Sequence, residues 1–255
     1  MKNRTNKILS IALPIITVAC IIIIWSVASA MVDSVYVLPN VPDTFSAFFS
    51  LVAGKNSKTF YVSFLLTLSR TIIAFVCSFL IAFSLAYLSK KRPMSLKVVS
   101  PLISIIRALP TIAVVLLLLL WTNSFVAPII VTMLVVLPTL YTNLYNSLCS
   151  VDDELVGMCT FFGVDKKETF KKVSIPLIMP SMFLSIGSGF ALNLKLMVAA
   201  EVLAATANSI GFLLTYNNYN LEIASMLALV VITVIIAVLV EFVFSLLSKK
   251  VGKWK

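Results

Sequence analysis

Long apolar runs follow one another along nearly the whole chain, each closed by a short polar or basic stretch. The runs occupy residues 8–31, 60–89, 98–121, 125–148, 177–205 and 223–247. Each is long enough to cross a bilayer's hydrocarbon core as a helix, which takes about 20 residues. A transmembrane barrel would show roughly ten-residue segments of alternating polarity instead, and none is present. Backbone in lipid must satisfy its own hydrogen bonds, so every crossing is expected to be helical. The pattern predicts one all-α polytopic membrane domain over residues 1–255, with six transmembrane helices and no internal repeat.

The first run needs a separate argument, because a basic start and Ala28-Ser29-Ala30 at its end imitate a secretion signal and its cleavage site. A signal's apolar core is only about 7–15 residues long. The longer run is therefore read as a retained first helix. Between the first and second runs, Pro42 and Asp43-Thr44 precede FSAFFSLVAG, a short interfacial helix ending at Gly54. Residues 122–124 make a tight turn between the third and fourth runs. Pro101 and Pro110 are positions where the third run can break.

Charge gives the runs an orientation. The chain carries 20 Lys and Arg against 10 Asp and Glu, a formal +10. Fifteen of the twenty lie in four clusters: Lys2, Arg4 and Lys7; Lys90, Lys91, Arg92 and Lys97; Lys166, Lys167, Lys171 and Lys172; Lys249, Lys250, Lys253 and Lys255. Six crossings put all four clusters on one side, and basic loops face the cytoplasm. Both termini are then cytoplasmic, and the opposite loop, with Asp33, Asp43, Lys55 and Lys58, has no basic excess. The basic charge is topological, which argues against nucleic-acid binding. The composition agrees, at 60% hydrophobic and 12% charged with mean hydropathy +1.08. With no histidine and no CxxC pair, a metal site is not expected, and the usual general base is missing. Cys20, Cys77, Cys149 and Cys159 form no plausible extracellular disulfide.

The polar segment at residues 150–176 is the exception to the lipid pattern. Ser150-x-x-Asp153 and Asp165-x-x-Glu168 both have capping-box spacing, each opening a short helix. Leu155, Cys159 and Phe162 share one face of the first helix, and Gly163 supplies the left-handed residue of a sharp turn. The second helix carries four lysines, and Pro176 is expected to end it before the fifth crossing. On its residues alone the segment reads either as a docking knob for a soluble partner or as an amphipathic loop on lipid headgroups.

Four intramembrane charges matter next, since such residues are costly and by default functional. Arg70 lies about 20 residues before Lys90, roughly 30 Å along a helix, near the outer interface where it can snorkel. Arg107 lies some 15 Å inward from Lys97, placed to line a cavity or cap broken backbone. Lys195 interrupts ALNLKLMVAA about 27 Å past the start of the fifth run. It is positioned either to attract an anionic solute or to snorkel outward. Glu201, six residues on, is off its face. Ser181, Ser185, Ser188 and Gly189 form a small-residue stripe suited to close helix packing.

From Gly163, nine residues lead to Val173, then Ser174, Ile175 and Pro176. This resembles the loop of ATP-binding-cassette (ABC) importer permeases, with the pattern EAA, three residues, Gly, nine residues, I-x-L-P. Val173, Ile175 and Pro176 stand at the I, L and P positions; Gly157, Met158 and Cys159 replace EAA, with Glu154 one turn earlier. Further features resemble the nitrate/sulfonate/taurine type: Val37-Leu38-Pro39 with Pro42, Ser69-Arg70, Arg107-x-x-Pro110, Ala200-Glu201 and Ile210-Gly211.

The resemblance implies a permease subunit of a bacterial cytoplasmic (inner) membrane importer, dimerising as a homo- or heterodimer around a solute pathway. The loop would be a cytoplasmic coupling helix between helices 4 and 5, docked on a separate ATPase through Glu154, Gly157, Met158, Cys159, Gly163, Val173, Ile175 and Pro176. An extracytoplasmic solute-binding protein would deliver the solute. No G-x-x-x-x-G-K-[ST] loop occurs, so ATP and Mg belong to the partner ATPase and the chain is not itself expected to be an enzyme. Arg107, Lys195 and Glu201 are the pathway candidates, and Arg107 with Lys195, if both face the pathway, point to a small anion such as a sulfonate, taurine or nitrate. A vitamin-precursor importer of the same type is the alternative. A gradient-driven secondary transporter is a further rival, but it predicts inverted repeats and paired intramembrane acids, whereas this chain has only Glu201, Glu222 and Glu241 near its last helices.

Overall fold

The structure is a computed structural model that describes residues 2–32, 34–54 and 57–252, without the side chains of residues 2–12, 14, 15, 153 and 166. Asp33, Lys55, Lys253, Lys255 and the side chains of Lys2, Arg4, Lys7, Asp153 and Lys166 thus lie outside the described set. The described backbone is helical, with no strand: α1 (Lys2–Val32), α2 (Val41–Ala53), α3 (Ser57–Lys91), α4 (Pro93–Ala108), α5 (Thr111–Trp121), α6 (Ala127–Cys149), α7 (Asp153–Phe161), α8 (Lys166–Thr169), a π-helical turn (Phe170–Ser174), α9 (Ile175–Leu203), α10 (Ile210–Tyr219) and α11 (Ile223–Val251).

Four helical stretches are long and apolar enough to cross a membrane: Ser57–Lys91, Ala127–Cys149, Lys167–Leu203 and Ile223–Val251. They correspond to the second, fourth, fifth and sixth apolar runs. The third run, expected as one crossing over 98–121, is instead α4 and α5 meeting at 91°. Pro110 forces the preceding Leu109 out of the helical region, and Leu109 has ψ 126°. Pro101, the other candidate breaker, stays inside α4. In α1 the shorter apolar stretch is Ile16–Val32.

The chain divides into two compact units, residues 1–61 with 213–232, and residues 62–212 with 233–255. In the first, α1 and α2 pack together through the turn that joins them. Trp25 Nε1 donates to Pro39 O (3.1 Å), and Ser29 Oγ donates to Leu38 O (3.0 Å) and to Asn40 Oδ1. The Val37-Leu38-Pro39 segment is therefore clamped to α1, with proline in the first turn of α2 where no N–H is needed.

In the second unit, α6 packs along α9 over most of its length, with α3, α4 and α5 around them. Leu140, Tyr141 and Leu144 of α6, Ala82 and Ala86 of α3, Ile103 of α4 and Ile178 of α9 form one buried cluster. Helices in lipid gain little from apolar burial alone, so close packing and interhelical hydrogen bonds must hold them. Both are present. A Cβ on Gly189 would stand 2.6 Å from Leu140 Cδ2, so the small-residue stripe lets α9 close on α6 there. Ser78 Oγ donates to Met133 O (3.0 Å), Asn193 Nδ2 to Thr71 O (2.7 Å), and Ser248 Oγ to Pro180 O (2.8 Å).

Candidate functional site

The segment between α6 and α9 is a helix, a sharp turn and a second helix, as its polarity predicts, but with one different cap. Asp152, not Ser150, is the N-cap of α7: Asp152 Oδ1 accepts from Glu154 N at 2.9 Å. Ser150 Oγ instead donates back to Ser147 O at the end of α6. Asp165 does cap α8, its Oδ2 accepting from Lys167 N (3.3 Å), while Glu168 pairs with Lys172 at 3.0 Å on the exposed surface. Gly163 has φ +74°, the left-handed value its sequence position calls for. Val164 N donates to Cys159 O and Gly163 N to Thr160 O, the paired bonds that close a helix end of the Schellman type.

Pro176 does not end the second helix. The chain passes from α8 through the π-turn into α9 as one helical stretch, Lys167–Leu203. A proline inside an α-helix strands the carbonyl four residues back and crowds it. Here Pro176 falls in the first turn of α9, and Ile175 N bonds to Phe170 O, five residues back. The wider π register makes room for the ring.

The two sides of α7 differ. Phe161 (87% exposed) and Phe162 (76%) stand out at its end beside exposed Met158 and Leu155. Glu154 and Gly157 are also exposed and Cys159 is half-buried; no atom lies within 4 Å of a Cβ placed on Gly157. The opposite side, Val156 and Thr160, faces a cavity of about 620 Å³ bounded by Leu148, Phe170, Ile178 and Lys90. Val173 and Ile175 are half-buried and Pro176 is exposed. The predicted contact residues are thus gathered on one loop. Phe161, which the spacing argument passed over, is its most protruding apolar group.

The charges of the apolar runs separate into three environments. Arg70 is not snorkelling: it is 2% exposed and its Nη1 donates to the fully buried Glu201 at 2.8 Å. Thr67 Oγ1 contacts both carboxylate oxygens (3.0 and 2.8 Å) and accepts from Ile210 N, while Gly211 N reaches Glu201 Oε2 at 3.4 Å. The Phe125 ring lies 4.6 Å from the guanidinium carbon. Glu201 is thus enclosed in a polar knot joining α3, α9 and the start of α10. The sequence showed that each of these charges needs a partner, since intramembrane charges pair with one another, but not that these two meet.

Arg107, exposed at the end of α4, donates to Thr142 Oγ1 (2.9 Å) and reaches Pro138 O (3.5 Å). It ties the end of α4 to the middle of α6, where Thr142 Oγ1 also donates to Pro138 O. Lys195 is exposed on α9 and makes no hydrogen bond or ion pair with the described residues. Of the three pathway candidates, Glu201 is enclosed, Arg107 is exposed but tied to α6 through Nη2, and Lys195 is exposed without a partner among the described residues; the fold brings no two of them together. Among the described residues no group of three or more Cys, Asp or Glu is arranged to hold a metal ion.

Similarity to known proteins bears on the same elements. The methionine ABC transporter MetNI, in an inward-facing form, is similar with TM-score 0.64 and 18% identity, covering 73% of this chain and 93% of that one. An amino acid ABC transporter solved with histidines has TM-score 0.64 and 18% identity, covering 80% and 98%. At these identities the likeness is one of fold. No curated protein sequence matches the chain. Residues 78–253, more than half of the sequence and including α7, α8 and all of α9, match the family model described as the binding-protein-dependent transport system inner membrane component. The chain belongs to that family, the permease components of ABC importers.

Proposed function

We propose that the segment from α7 to the π-turn is a coupling element, seated in a groove of a separate cytoplasmic ATPase, and that the chain crosses the membrane six times with both ends inside. Two such permease subunits would enclose the pathway, fed by an external solute-binding protein. The observation that carries this reading is the protruding apolar end of α7, where Phe161 and Phe162 are held out on a Gly163-closed turn. Rings that exposed, at the end of a nine-residue helix outside the long apolar stretches, have a reason to exist if another protein covers them.

The test is co-expression with the ATPase and binding protein encoded beside it. Phe161→Asp with Phe162→Asp leaves the thermal transition of the purified chain in place and abolishes co-purification of the ATPase. Undiminished co-purification would sink the coupling role.

The solute is read as carrying an anionic group, of the sulfonate, taurine or nitrate kind, on the strength of Lys195. An unpaired ammonium on a predicted spanning helix is costly unless it meets water or an anion. Lys195→Met is expected to lower uptake at least tenfold with ATPase assembly intact; uptake at the original rate would count against this assignment.

A further inference from the structure

Glu241 is the intramembrane charge that the coupling and anion readings leave unused. It sits in α11 within LVEFVFSLL, eight residues before Lys249 and so about 12 Å inside that end of the span. It makes no hydrogen bond or ion pair with the described residues, in contrast to Glu201, which is enclosed by Arg70. Glu241 lines a cavity of about 460 Å³ together with Asn143 of α6, Ser185 and Ser188 of α9, and Ser245 and Phe242 of α11. Volumes of this order suit a small organic ligand.

The chemistry of the lining is one-sided. Ser185 Oγ donates to Ser181 O and Ser188 Oγ to Leu184 O, both at 2.9 Å, so these hydroxyls present lone pairs to the cavity. Asn143 adds an amide whose oxygen can turn inward, Ser245 a hydroxyl and Glu241 a carboxylate, and no lysine or arginine is among the residues that line the space. The wall is fixed, because α9 and α11 close on each other at Gly187, where a Cβ would stand 2.8 Å from Phe244 Cβ. A pocket rich in acceptors, with one negative charge, no positive one and an apolar side wall, is complementary to an N–H-bearing cation.

Lys195 lies seven residues beyond Ser188, two turns along the same side of α9 and about 10 Å away. One helix side therefore offers a cation and then a set of acceptors. A solute with an acidic group and an amine has a partner at each level, whereas an inorganic anion has only one.

We propose that Glu241, with Asn143, Ser185 and Ser188, binds the ammonium group of the transported solute, which is then an amine-bearing anion rather than an inorganic one. This rests on the permease reading above. The test uses the full chain in lipid nanodiscs, treated with dicyclohexylcarbodiimide, which modifies carboxyl groups in apolar surroundings, and read by mass spectrometry of the Glu241 peptide. Glu241 is expected to label, and saturating ethylammonium to reduce labelling at least tenfold, while ethanol and nitrate leave it unchanged. Asn143→Leu should keep the labelling and weaken the protection.

Failure of Glu241 to label overturns the proposal, as does an absence of protection by ethylammonium. Equal protection by sodium or potassium also overturns it, in favour of a bare metal-ion site. Association with the ATPase, measured on the same preparation, separates the two readings. Its loss in the unaltered chain refutes the coupling role, whereas intact association without protection refutes only the ammonium site.

Discussion

Arg70 and Glu201 lie 131 residues apart in sequence and 2.8 Å apart in space, with almost no exposed surface on either. Removing one member of a buried ion pair strands the other, at a cost of about 3–5 kcal/mol in proteins where it has been measured. Arg70→Met should therefore lower the thermal transition of the purified chain sharply. Arg70→Met combined with Glu201→Met should recover much of the loss, because no charge remains to be buried. A double variant less stable than either single one would show that the residues act separately. Gly211 beside them has a steric reason to be glycine. A Cβ there would stand 2.5 Å from Glu201 Cβ and 2.6 Å from the backbone nitrogen of Val202. Gly211→Ala should destabilise the chain more than Gly157→Ala, since no atom lies near a Cβ on Gly157. Both charges of the knot were legible in the sequence as intramembrane charges. Their pairing was not, because nothing local says which distant helix face meets Arg70.

Elements were legible where a local rule decides them and obscure where two rules compete. The left-handed turn at Gly163 and the cap at Asp165 follow from residue types alone. Ser150 and Asp152 both carry capping side chains two residues apart, and the choice fell to Asp152 because Ser150 is still held by the last turn of α6. Pro101 and Pro110 pose the same problem: only Pro110 breaks its helix. Pro176 shows how a π-turn overrides the usual meaning of a proline, and no residue type announces a π-turn in advance. At this scale the free space around Gly157 yields a clean experiment. Gly157→Trp should leave the chain's own thermal transition unchanged, as there is room for the ring, and block association with the ATPase. Transport and assembly both surviving the change would show that this face is not the contact.

As a whole the molecule wears its hydrophobic residues outward. Ile21, Ile23 and Ile24 of α1, Leu116, Leu120 and Trp121 of α5, and Val238, Leu239 and Phe242 of α11 are all exposed. Such surface is stable against lipid or against another membrane subunit. Lys195 is exposed as well, and if two subunits enclose it, a Lys195→Cys change in an otherwise cysteine-free chain should crosslink across the pathway. The yield should change when ATP is supplied to the assembled transporter, and no crosslink in any state would place Lys195 against lipid. The uninterrupted helical stretch Lys167–Leu203 has a mechanical corollary. With 37 residues it is a rod of about 55 Å, and it starts in the polar loop and ends at the Arg70–Glu201 knot. The π-turn at Phe170–Ser174 and Pro180 inside α9 are where such a rod can bend, and beyond them the helix runs unbroken to Leu203. A push at the loop end that passes these two points must appear at the far end as a swing of the remaining rod, felt where the buried charges anchor α9.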